Sequence, residues 1–282
     1  MIKQKKKALT SKKAVSGEQR EAPLGEALDF ATSEAYNMLR TNLSFAFPGK
    51  TDGRVVGITS AAPQAGKSYT AINLCYALAK DGHRTVLVSA DMRKPTIARK
   101  LGLTLSPGLS EILAGNLPAE REHPLIRPCL HENLSVITAG ELPPNPSELI
   151  GSAQMVSLVE ALKKKFEYVV LDLPPVTSVI DSVAVSPCID GMIVVVRHGL
   201  SRKPLVTSTM NQLRYANVRV IGFVYNGIRA GGLRGSYRKY KKYYRNSYET
   251  VPSPASETGK PVTQTGRPSS PTVSGSPSVD SK

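Results

Sequence analysis

The central part of the chain alternates between short apolar runs rich in β-branched residues and segments with helical periodicity. Strands are predicted at 54–59, 84–90, 133–139, 168–173, 192–198 and 218–226, and helices at 67–82, 155–166 and near 203–216. The strand runs are apolar throughout rather than alternating, which is typical of strands that are buried on both faces. The pattern therefore predicts an α/β domain whose mostly parallel sheet is covered by helices on both faces.

A further helix is predicted before the first strand. The segment SEAYNMLRTNLSFAF begins at Ser33, which we expect to be the N-cap. Its apolar residues recur at helical spacing and form one stripe: Ala35, Met38, Leu39, Leu43 and Phe45. The spacing predicts a helix with a single apolar face.

The charge of the chain is concentrated outside this central part. Lys and Arg number 37 against 22 Asp and Glu, for a net charge of +15. Residues 1–20 contribute +6 and residues 229–245 contribute +7, which leaves +2 for all other residues. A nearly neutral middle disfavours a nucleic-acid-binding globule with one basic face, so nucleic acid is not an expected partner.

These patterns predict four regions. Residues 1–30 are predicted to be a disordered basic arm, 31–230 the α/β domain, 231–249 a tyrosine and basic cluster, and 250–282 a disordered tail. The tail is assigned from its composition, because 22 of its 33 residues are Ser, Thr, Pro or Gly.

Composition also disfavours several classes of protein. No run of about 18 apolar residues predicts a membrane span, and the basic N-terminus lacks the apolar segment of a signal peptide. The three cysteines are an odd number without metal-ligand or CxxC spacing, and the four histidines offer no zinc-site spacing. We therefore expect reduced thiols and a cytoplasmic protein.

The first predicted strand runs into the loop SAAPQAGKS (60–68), and a predicted helix follows. Between a strand and a helix, Gly-Lys-Ser is typical of a loop whose backbone N–H groups bind phosphate. Lys67 would neutralise the β- and γ-phosphates, and the hydroxyl of Ser68 would ligate Mg²⁺. The full Gly-x4-Gly-Lys-Ser pattern is not met, because Ala61 stands at the first glycine. We predict a nucleotide site here, with an accidental surface turn as the alternative.

Two carboxylates follow apolar strands, Asp91 after VLVSA and Asp172 after YVVL. In open parallel sheets, ligands bind beyond the carboxyl ends of the strands. We therefore expect both carboxylates to converge on a metal ion and on the phosphates held by Lys67 and Ser68. Arg93 is a candidate for holding Asp91 or a phosphate, and an exposed role is the alternative.

At this point the motifs resemble a known family. The segments VVGITSAAPQAGKS, VLVSADMRKP and VVLDLPPV resemble the Walker A, Walker A′ and Walker B motifs of the bacterial tyrosine kinases, and EAYNMLRTN (34–42) resembles their N-terminal helix. The resemblance covers about residues 33–248 and implies a P-loop NTPase-like fold with ATP and Mg²⁺ as cofactors. The catalytic positions that follow are Lys67, Asp91, Asp172 and Arg93, with Ser68, Asp91 and Asp172 as Mg²⁺ ligands. The ATP-binding positions that the resemblance implies are Ala62, Pro63, Gln64, Ala65, Gly66, Lys67, Ser68, Tyr69 and Asn226. For Asn226, a turn at the end of a strand is the alternative role.

The resemblance also implies a function. It implies an ATP-dependent protein-tyrosine kinase of capsular or exopolysaccharide synthesis, activated by a transmembrane polysaccharide co-polymerase. Such a chain is expected to be cytoplasmic and peripheral to the inner face of the plasma membrane through that partner. A homo-oligomer and a cognate tyrosine phosphatase are further expected partners.

The segment GSYRKYKKYYRNSYE supplies the expected acceptors. Its tyrosines are Tyr237, Tyr240, Tyr243, Tyr244 and Tyr248. The resemblance implies that a neighbouring subunit phosphorylates them, whereas binding to nucleic acid or anionic lipid is the simpler interpretation. Each phosphate adds about −1.5 to −2 charge, so five would reverse the local +7 and act as a charge switch.

The chain departs from the family pattern in three places. Gln64 stands where the loop usually has glycine, which predicts crowding or strain in the turn. Ser89 replaces the first Asp of the usual Asp-x-Asp-x-Arg, so help in activating the acceptor is in doubt. In the N-terminal helix, the sequence Glu34, Asn37, Arg40 lacks the middle Arg that the family uses for subunit contacts.

Two other functions compete with the kinase. A partitioning-type P-loop ATPase would carry a second lysine five residues before Lys67, where this chain has Ala62, and would lack the tyrosine cluster. A catalytically weak, ATP-binding regulatory subunit of the polysaccharide machinery is consistent with Gln64 and Ser89. The tyrosine cluster favours the kinase.

Overall fold

The computed structural model describes residues 23–50, 52–117, 124–177 and 181–227. The basic N-terminal residues 1–22, the tyrosine and basic cluster and the tail lie outside the described residues, as do the predictions made for them.

A seven-stranded sheet forms the centre of the described structure. Its strands are β1 (Arg54–Ser60), β2 (Thr85–Ser89), β3 (Arg127–Cys129), β4 (His131–Ile137), β5 (Tyr168–Asp172), β6 (Gly191–Arg197) and β7 (Val220–Asn226). Their order across the sheet is β3-β4-β2-β5-β1-β6-β7. All neighbouring pairs are parallel except β3 and β4, which are antiparallel. The predicted mostly parallel α/β fold is confirmed.

Eight α-helices accompany the described strands. They are α1 (Phe30–Phe45), α2 (Lys67–Lys80), α3 (Ile97–Leu101), α4 (Leu109–Ala114), α5 (Pro146–Ile150), α6 (Ala153–Lys163), α7 (Asp181–Ala184) and α8 (Lys203–Tyr215). Short 3₁₀ helices occupy Gly25–Ala27 and Ser186–Cys188. Among the described residues, no helix has the length and apolar character needed to cross a membrane.

Successive strand residues contribute to two separate cores, one on each face of the sheet. In β5, Tyr168 and Val170 pack with α1 and α2, whereas Val169 and Leu171 pack with α4, α6 and α8. This alternation follows from the two-residue period of a strand. Both faces are covered over β2, β5 and most of β1 and β6, and these central strands are largely apolar, as the sequence indicated.

The N-terminal helix differs from its prediction. It begins at Phe30, and Asp29 rather than Ser33 is the N-cap, accepting a hydrogen bond from the backbone N–H of Thr32 at 3.0 Å. The predicted apolar stripe is only partly confirmed, because Leu39 and Leu43 pack against the core, whereas Met38 and Phe45 are 41% and 76% exposed. The helix packs through residues at a seven-residue spacing, namely Tyr36 and Leu43, which lie on another face from Met38 and Phe45.

The structure also differs from the boundary predicted at residue 30. Gly25 begins a 3₁₀ helix, and its backbone N–H donates to Asn73 Oδ1 on α2 at 2.9 Å. Leu24 and Leu28 pack against the core on that face of the sheet. Residues 24–28 are therefore part of the packed structure rather than of a disordered arm.

Candidate functional site

The loop between β1 and α2 lies where the carboxyl ends of the central strands meet. β1 pairs with β5 on one side and with β6 on the other, and β5 pairs with β2. Asp172 is the last residue of β5 and is the register partner of Ser89 at the end of β2. The sheet order therefore brings the ends of four strands against one loop, as expected for a ligand site in a parallel sheet.

Ser68 and Asp172 are in direct contact at this edge. The hydroxyl of Ser68 donates to Asp172 Oδ2 at 2.5 Å. Asp172 is 1% exposed, and burial raises its pKa to about 6. The charge of Lys67 and the hydrogen bond from Ser68 lower this pKa but do not outweigh burial. Among the described residues, no group donates to Asp172 Oδ1. One carboxylate oxygen is therefore available to a ligand.

Lys67 and Asp91 form a buried ion pair next to this contact. Lys67 Nζ lies 3.7 Å from Asp91 Oδ2, and both side chains are less than a tenth exposed. The other oxygen of Asp91 accepts a hydrogen bond from the backbone N–H of Lys94 at 3.1 Å. Burial raises the pKa of Asp91, and the charge of Lys67 opposes that rise.

A cleft of about 760 Å³ opens above these residues. Among the described residues, it is lined by one carboxylate, Asp91, and by six basic side chains: Lys67, Arg93, Lys94, Arg99, Lys100 and Arg197. The predicted positions Pro63, Gln64, Gly66, Ser68 and Tyr69 also line it. A positively charged cleft of this size suits a polyphosphate ligand.

The remaining predicted loop residues lie behind the cleft surface. Ala62 and Ala65 are buried, and the carbonyl oxygen of Ala62 accepts a hydrogen bond from the Ser60 hydroxyl at 2.7 Å. Gly66 has φ +97° and is the N-cap of α2. Gln64 also has a positive φ, of +60°, so the expected strain at this position is present in the backbone.

Arg93 has a different partner from the one the sequence suggested. Its Nε donates to Asp181 Oδ2 at 3.0 Å, and one terminal nitrogen donates to the hydroxyl of Ser147 at 2.8 Å. Asp181 is 1% exposed. The prediction that Arg93 holds Asp91 is therefore wrong, while contact with a phosphate stays a prediction. The only sequence signal for Asp181 is a weak one, its position nine residues after the β5 segment.

Asn226 and Arg197 both contact the phosphate loop. Asn226 Nδ2 donates to the carbonyl oxygen of Ala65 at 3.0 Å, and one terminal nitrogen of Arg197 donates to that of Gln64 at 2.7 Å. Contact between Asn226 and a base stays a prediction. Sequence reasoning missed Arg197, although its position at the end of an apolar strand is the same signal that identified Asp172.

The residues present fit a nucleotide with Mg²⁺. Among the described residues, no group of three or more His, Cys, Asp or Glu side chains could hold a metal ion alone. Mg²⁺ is usually bound by one or two carboxylates together with phosphate oxygens and water. The free Oδ1 of Asp172, the Ser68 hydroxyl and Asp91 provide oxygen donors of that kind beside the cleft.

Comparison with known proteins first defines the class. Residues 53–231 match the profile of the ParA family, described as NUBPL iron-transfer P-loop NTPase. This range includes the loop, both aspartates and Asn226, so the class that the fold and site define is the P-loop NTPases of ParA type, and the fold implies a nucleotide ligand.

More similar relatives narrow the family. Tyrosine-protein kinase YwqD of Bacillus subtilis is 32% identical over 69% of this chain and 81% of its own length. Tyrosine-protein kinase ptk of Acinetobacter johnsonii is 33% identical over 69% of this chain, which spans only 26% of that relative. The kinase domain of Escherichia coli tyrosine kinase ETK superposes with a TM-score of 0.65 at 31% identity, covering 70% of this chain and 75% of that domain. The chain belongs to the family of bacterial tyrosine-protein kinases.

Proposed function

We propose that the chain is an ATP-dependent protein-tyrosine kinase that phosphorylates, in trans, the tyrosine cluster near its own C-terminus. The observation that carries this proposal is the convergence of Lys67, Ser68 and Asp91 on one cationic cleft, with Asp172 hydrogen-bonded to Ser68, in a chain whose relatives are named tyrosine-protein kinases. The acceptors are Tyr237, Tyr240, Tyr243, Tyr244 and Tyr248, which lie outside the described residues.

The cleft residues divide the work of phosphoryl transfer. Lys67 neutralises the β- and γ-phosphates, and the loop amides orient them. Ser68, Asp91 and Asp172 would hold Mg²⁺, which would neutralise the charge on the phosphate oxygens. Transfer needs little beyond positioning and charge neutralisation, because the transition state is loose. In the reaction, the bond from the γ-phosphorus to the ADP oxygen breaks, the bond to the tyrosine oxygen forms, and the phenol proton passes to solvent water.

The acceptor receives less help than in other members of the family. Ser89 occupies the position of the first Walker A′ aspartate, and its hydroxyl has no hydrogen-bond partner within the described part of the chain. Unlike the carboxylate of an aspartate, a serine hydroxyl cannot act as a general base at neutral pH. We therefore expect slow turnover unless a partner supplies or aligns the acceptor.

The wider role follows from the family. We propose that the kinase regulates the synthesis or export of a capsular or exopolysaccharide, at the inner face of the plasma membrane. There it would bind a transmembrane co-polymerase that activates it and would assemble with copies of itself. A tyrosine phosphatase would remove the phosphates that it adds. The family match at residues 53–231 supports an end of the kinase domain near residue 230, followed by the acceptor cluster at 231–249. The packing of Leu24 and Leu28 supports a beginning of the kinase domain before residue 31.

The test is incubation of the purified full chain with Mg²⁺-ATP, followed by intact-mass and phosphotyrosine analysis. The reaction is run with and without a cytoplasmic peptide of a candidate co-polymerase. We expect several phosphates on residues 237–248, none in Lys67→Ala and none on these positions when all five tyrosines are changed to Phe. Lys80→Ala is the matched control, because Lys80 is an exposed lysine at the other end of the same helix.

Two results would contradict the proposal. Phosphate that persists in Lys67→Ala would point to a contaminating kinase. A chain that binds ATP but gains no phosphate under either condition would instead be a regulatory nucleotide-binding subunit.

A further inference from the structure

We propose that Arg197 is a positioning residue that holds the phosphate loop, together with Asn226, in the conformation that binds nucleotide. The proposal rests on the proposed function only for the identity of the ligand as a nucleotide. It concerns the loop of this chain, whose sequence places Gln64 where a residue without a Cβ would be expected.

The two residues act from neighbouring strands on neighbouring carbonyl groups. Arg197 ends β6 and Asn226 ends β7, and the two are register partners in the sheet. The guanidinium donates to the carbonyl oxygen of Gln64 at 2.7 Å, and the Asn226 amide donates to that of Ala65 at 3.0 Å. One pair of register partners in the sheet therefore holds two consecutive peptide groups of the loop.

These contacts fix the direction of the loop amides. In a trans peptide group the carbonyl and the N–H point in opposite directions. Holding the oxygens of Gln64 and Ala65 therefore sets the direction of the N–H groups of Ala65 and Gly66. Backbone N–H groups of such a loop are the phosphate donors, so their direction governs affinity.

Gln64 makes this restraint necessary. Its φ of +60° lies in the left-handed region, which is unfavourable for a residue with a Cβ. Without an external restraint, the peptide group after Gln64 would relax to a more common conformation. Glycine adopts a positive φ readily and would depend less on the restraint.

Both restraining residues are themselves held in place. The backbone N–H of Arg197 donates to the Ser201 hydroxyl at 3.0 Å, and its carbonyl oxygen accepts from the N–H of Ser201 at 3.0 Å. The carbonyl oxygen of Asn226 accepts from the N–H of His198 at 2.9 Å, and its Oδ1 accepts from the N–H of Gly227 at 2.7 Å. The backbone from which each restraining side chain extends is thus fixed at the end of its strand.

The experiment measures the affinity of the full chain for Mg²⁺-ADP by calorimetry. We expect Arg197→Ala to weaken binding about tenfold, the change that loss of one charged hydrogen bond predicts. Arg197→Lys should recover part of the loss. In the Gln64→Gly background, Arg197→Ala should have little effect, because glycine holds the positive φ by itself.

Arg219→Ala is the matched control. Arg219 is also exposed and also donates to a distant backbone carbonyl, that of Ala46 at 2.8 Å, on the surface beside Phe47. We expect it to lower thermal stability to a similar degree as Arg197→Ala and to leave ADP affinity unchanged.

The outcomes separate this inference from the kinase proposal. Equal ADP affinity in Arg197→Ala and the wild type overturns the positioning role. A loss of the same size in the Gln64 and Gln64→Gly backgrounds also overturns it, because Arg197 would then act on the nucleotide directly. Failure of the wild type to bind ADP overturns both proposals, whereas ADP binding without phosphate transfer overturns only the kinase.

Discussion

The hydroxyl of Ser68 donates to the carboxylate of Asp172 across 2.5 Å, although 104 residues separate the two in the chain. Ser68 is the second residue of the helix after the phosphate loop, and Asp172 ends the strand next to β1. Ser68 also lines the cationic cleft, and Asp172 Oδ1 has no donor among the described residues. The site therefore contains a buried carboxylate that is only half satisfied, which is the group we expect to respond to Mg²⁺.

Neutralising Asp172 should stabilise the protein in the absence of Mg²⁺. Burial raises the pKa of Asp172 from 3.8 to about 6. The folded chain therefore binds more protons than the unfolded chain between these values, and the favourable contribution of this group is lost as the pH rises through about 6. We expect Asp172→Asn to raise the free energy of unfolding by about 1–3 kcal/mol near pH 8.

Urea unfolding in the presence of a chelator, measured from about pH 4 to pH 8, checks this expectation. The difference between the variant and the wild type should shrink as the pH falls below about 6. Addition of Mg²⁺-ADP should stabilise the wild type more than the variant. A difference that is independent of pH would show that the carboxylate is not the cause.

Gly66→Ala should lower both stability and ADP affinity by more than the positive φ of this residue alone explains. A Cβ at Gly66 would lie 2.0 Å from Asn226 Nδ2, and the residue has φ +97°. We expect a loss of about 2 kcal/mol of stability, of which the left-handed conformation accounts for roughly half. ADP affinity should fall as well, because Asn226 must leave the carbonyl oxygen of Ala65.

Gly82→Ala is the control for that variant. Gly82 has a similar φ of +92°, with no described atom within 4 Å of an added Cβ. Thermal unfolding and ADP titration of both variants separate the contact from the backbone strain. The explanation fails if Gly82→Ala lowers ADP affinity to the same extent, or if removing the Asn226 side chain from Gly66→Ala restores no stability.

Arg93→Ala should destabilise the chain through Asp181. The Asp181 carboxylate is 1% exposed, and Arg93 is its ion-pair partner at 3.0 Å. Removal of one partner leaves a buried charge uncompensated, and we expect a loss of about 2 kcal/mol because the arginine itself is partly exposed. Arg93→Ala combined with Asp181→Asn should recover part of that loss in urea unfolding.

Arg214→Ala provides the comparison for Arg93→Ala. Arg214 is exposed on α8 and donates to Asn211 at 3.1 Å within the same helix. Its removal should change stability by less than about 0.5 kcal/mol. Equal losses of stability in Arg93→Ala and in the double variant would exclude the ion pair with Asp181 as the cause of the loss.

Phosphorylation of the tyrosine cluster should release the chain from anionic lipid. Residues 229–245 carry +7, and five phosphates would add roughly −8 to −10 charge. We expect the unmodified chain to sediment with vesicles that contain phosphatidylserine and the phosphorylated chain to remain in solution. Neutral vesicles are the control, and equal binding of both forms would contradict the charge switch.

Local signals were enough to predict most of the sheet. The run at 168–173 corresponds to Tyr168–Asp172 and the run at 54–59 to Arg54–Ser60, because a strand buried on both faces leaves an apolar sequence that needs no knowledge of its neighbours. β3 was missed, because three residues that include Pro128 carry no periodic signal and the strand exists only as an antiparallel edge on β4.

Signals that depend on a distant partner were harder to read. The pattern in α1 predicts the inward position of Leu43 but not that of Tyr36, because Tyr36 and Met38 are both apolar enough for a core and only contact with α2 decides between them. The sequence leaves Asp91, a phosphate and an exposed role open for Arg93, and only the structure shows that its guanidinium pairs with the buried carboxylate of Asp181 at 3.0 Å.

The sequence by itself determined the class of fold, the phosphate loop and the two aspartates, Asp91 just beyond β2 and Asp172 at the end of β5, because these depend on the order of residues within a few positions. Only the tertiary structure decided which strand ends meet. The order β2-β5-β1-β6-β7 brings Asp172 to Ser68 and places Arg197 and Asn226 on consecutive carbonyl groups of the loop. That order follows from how the helices pack on the two faces of the sheet, and long-range packing leaves no local pattern in the chain.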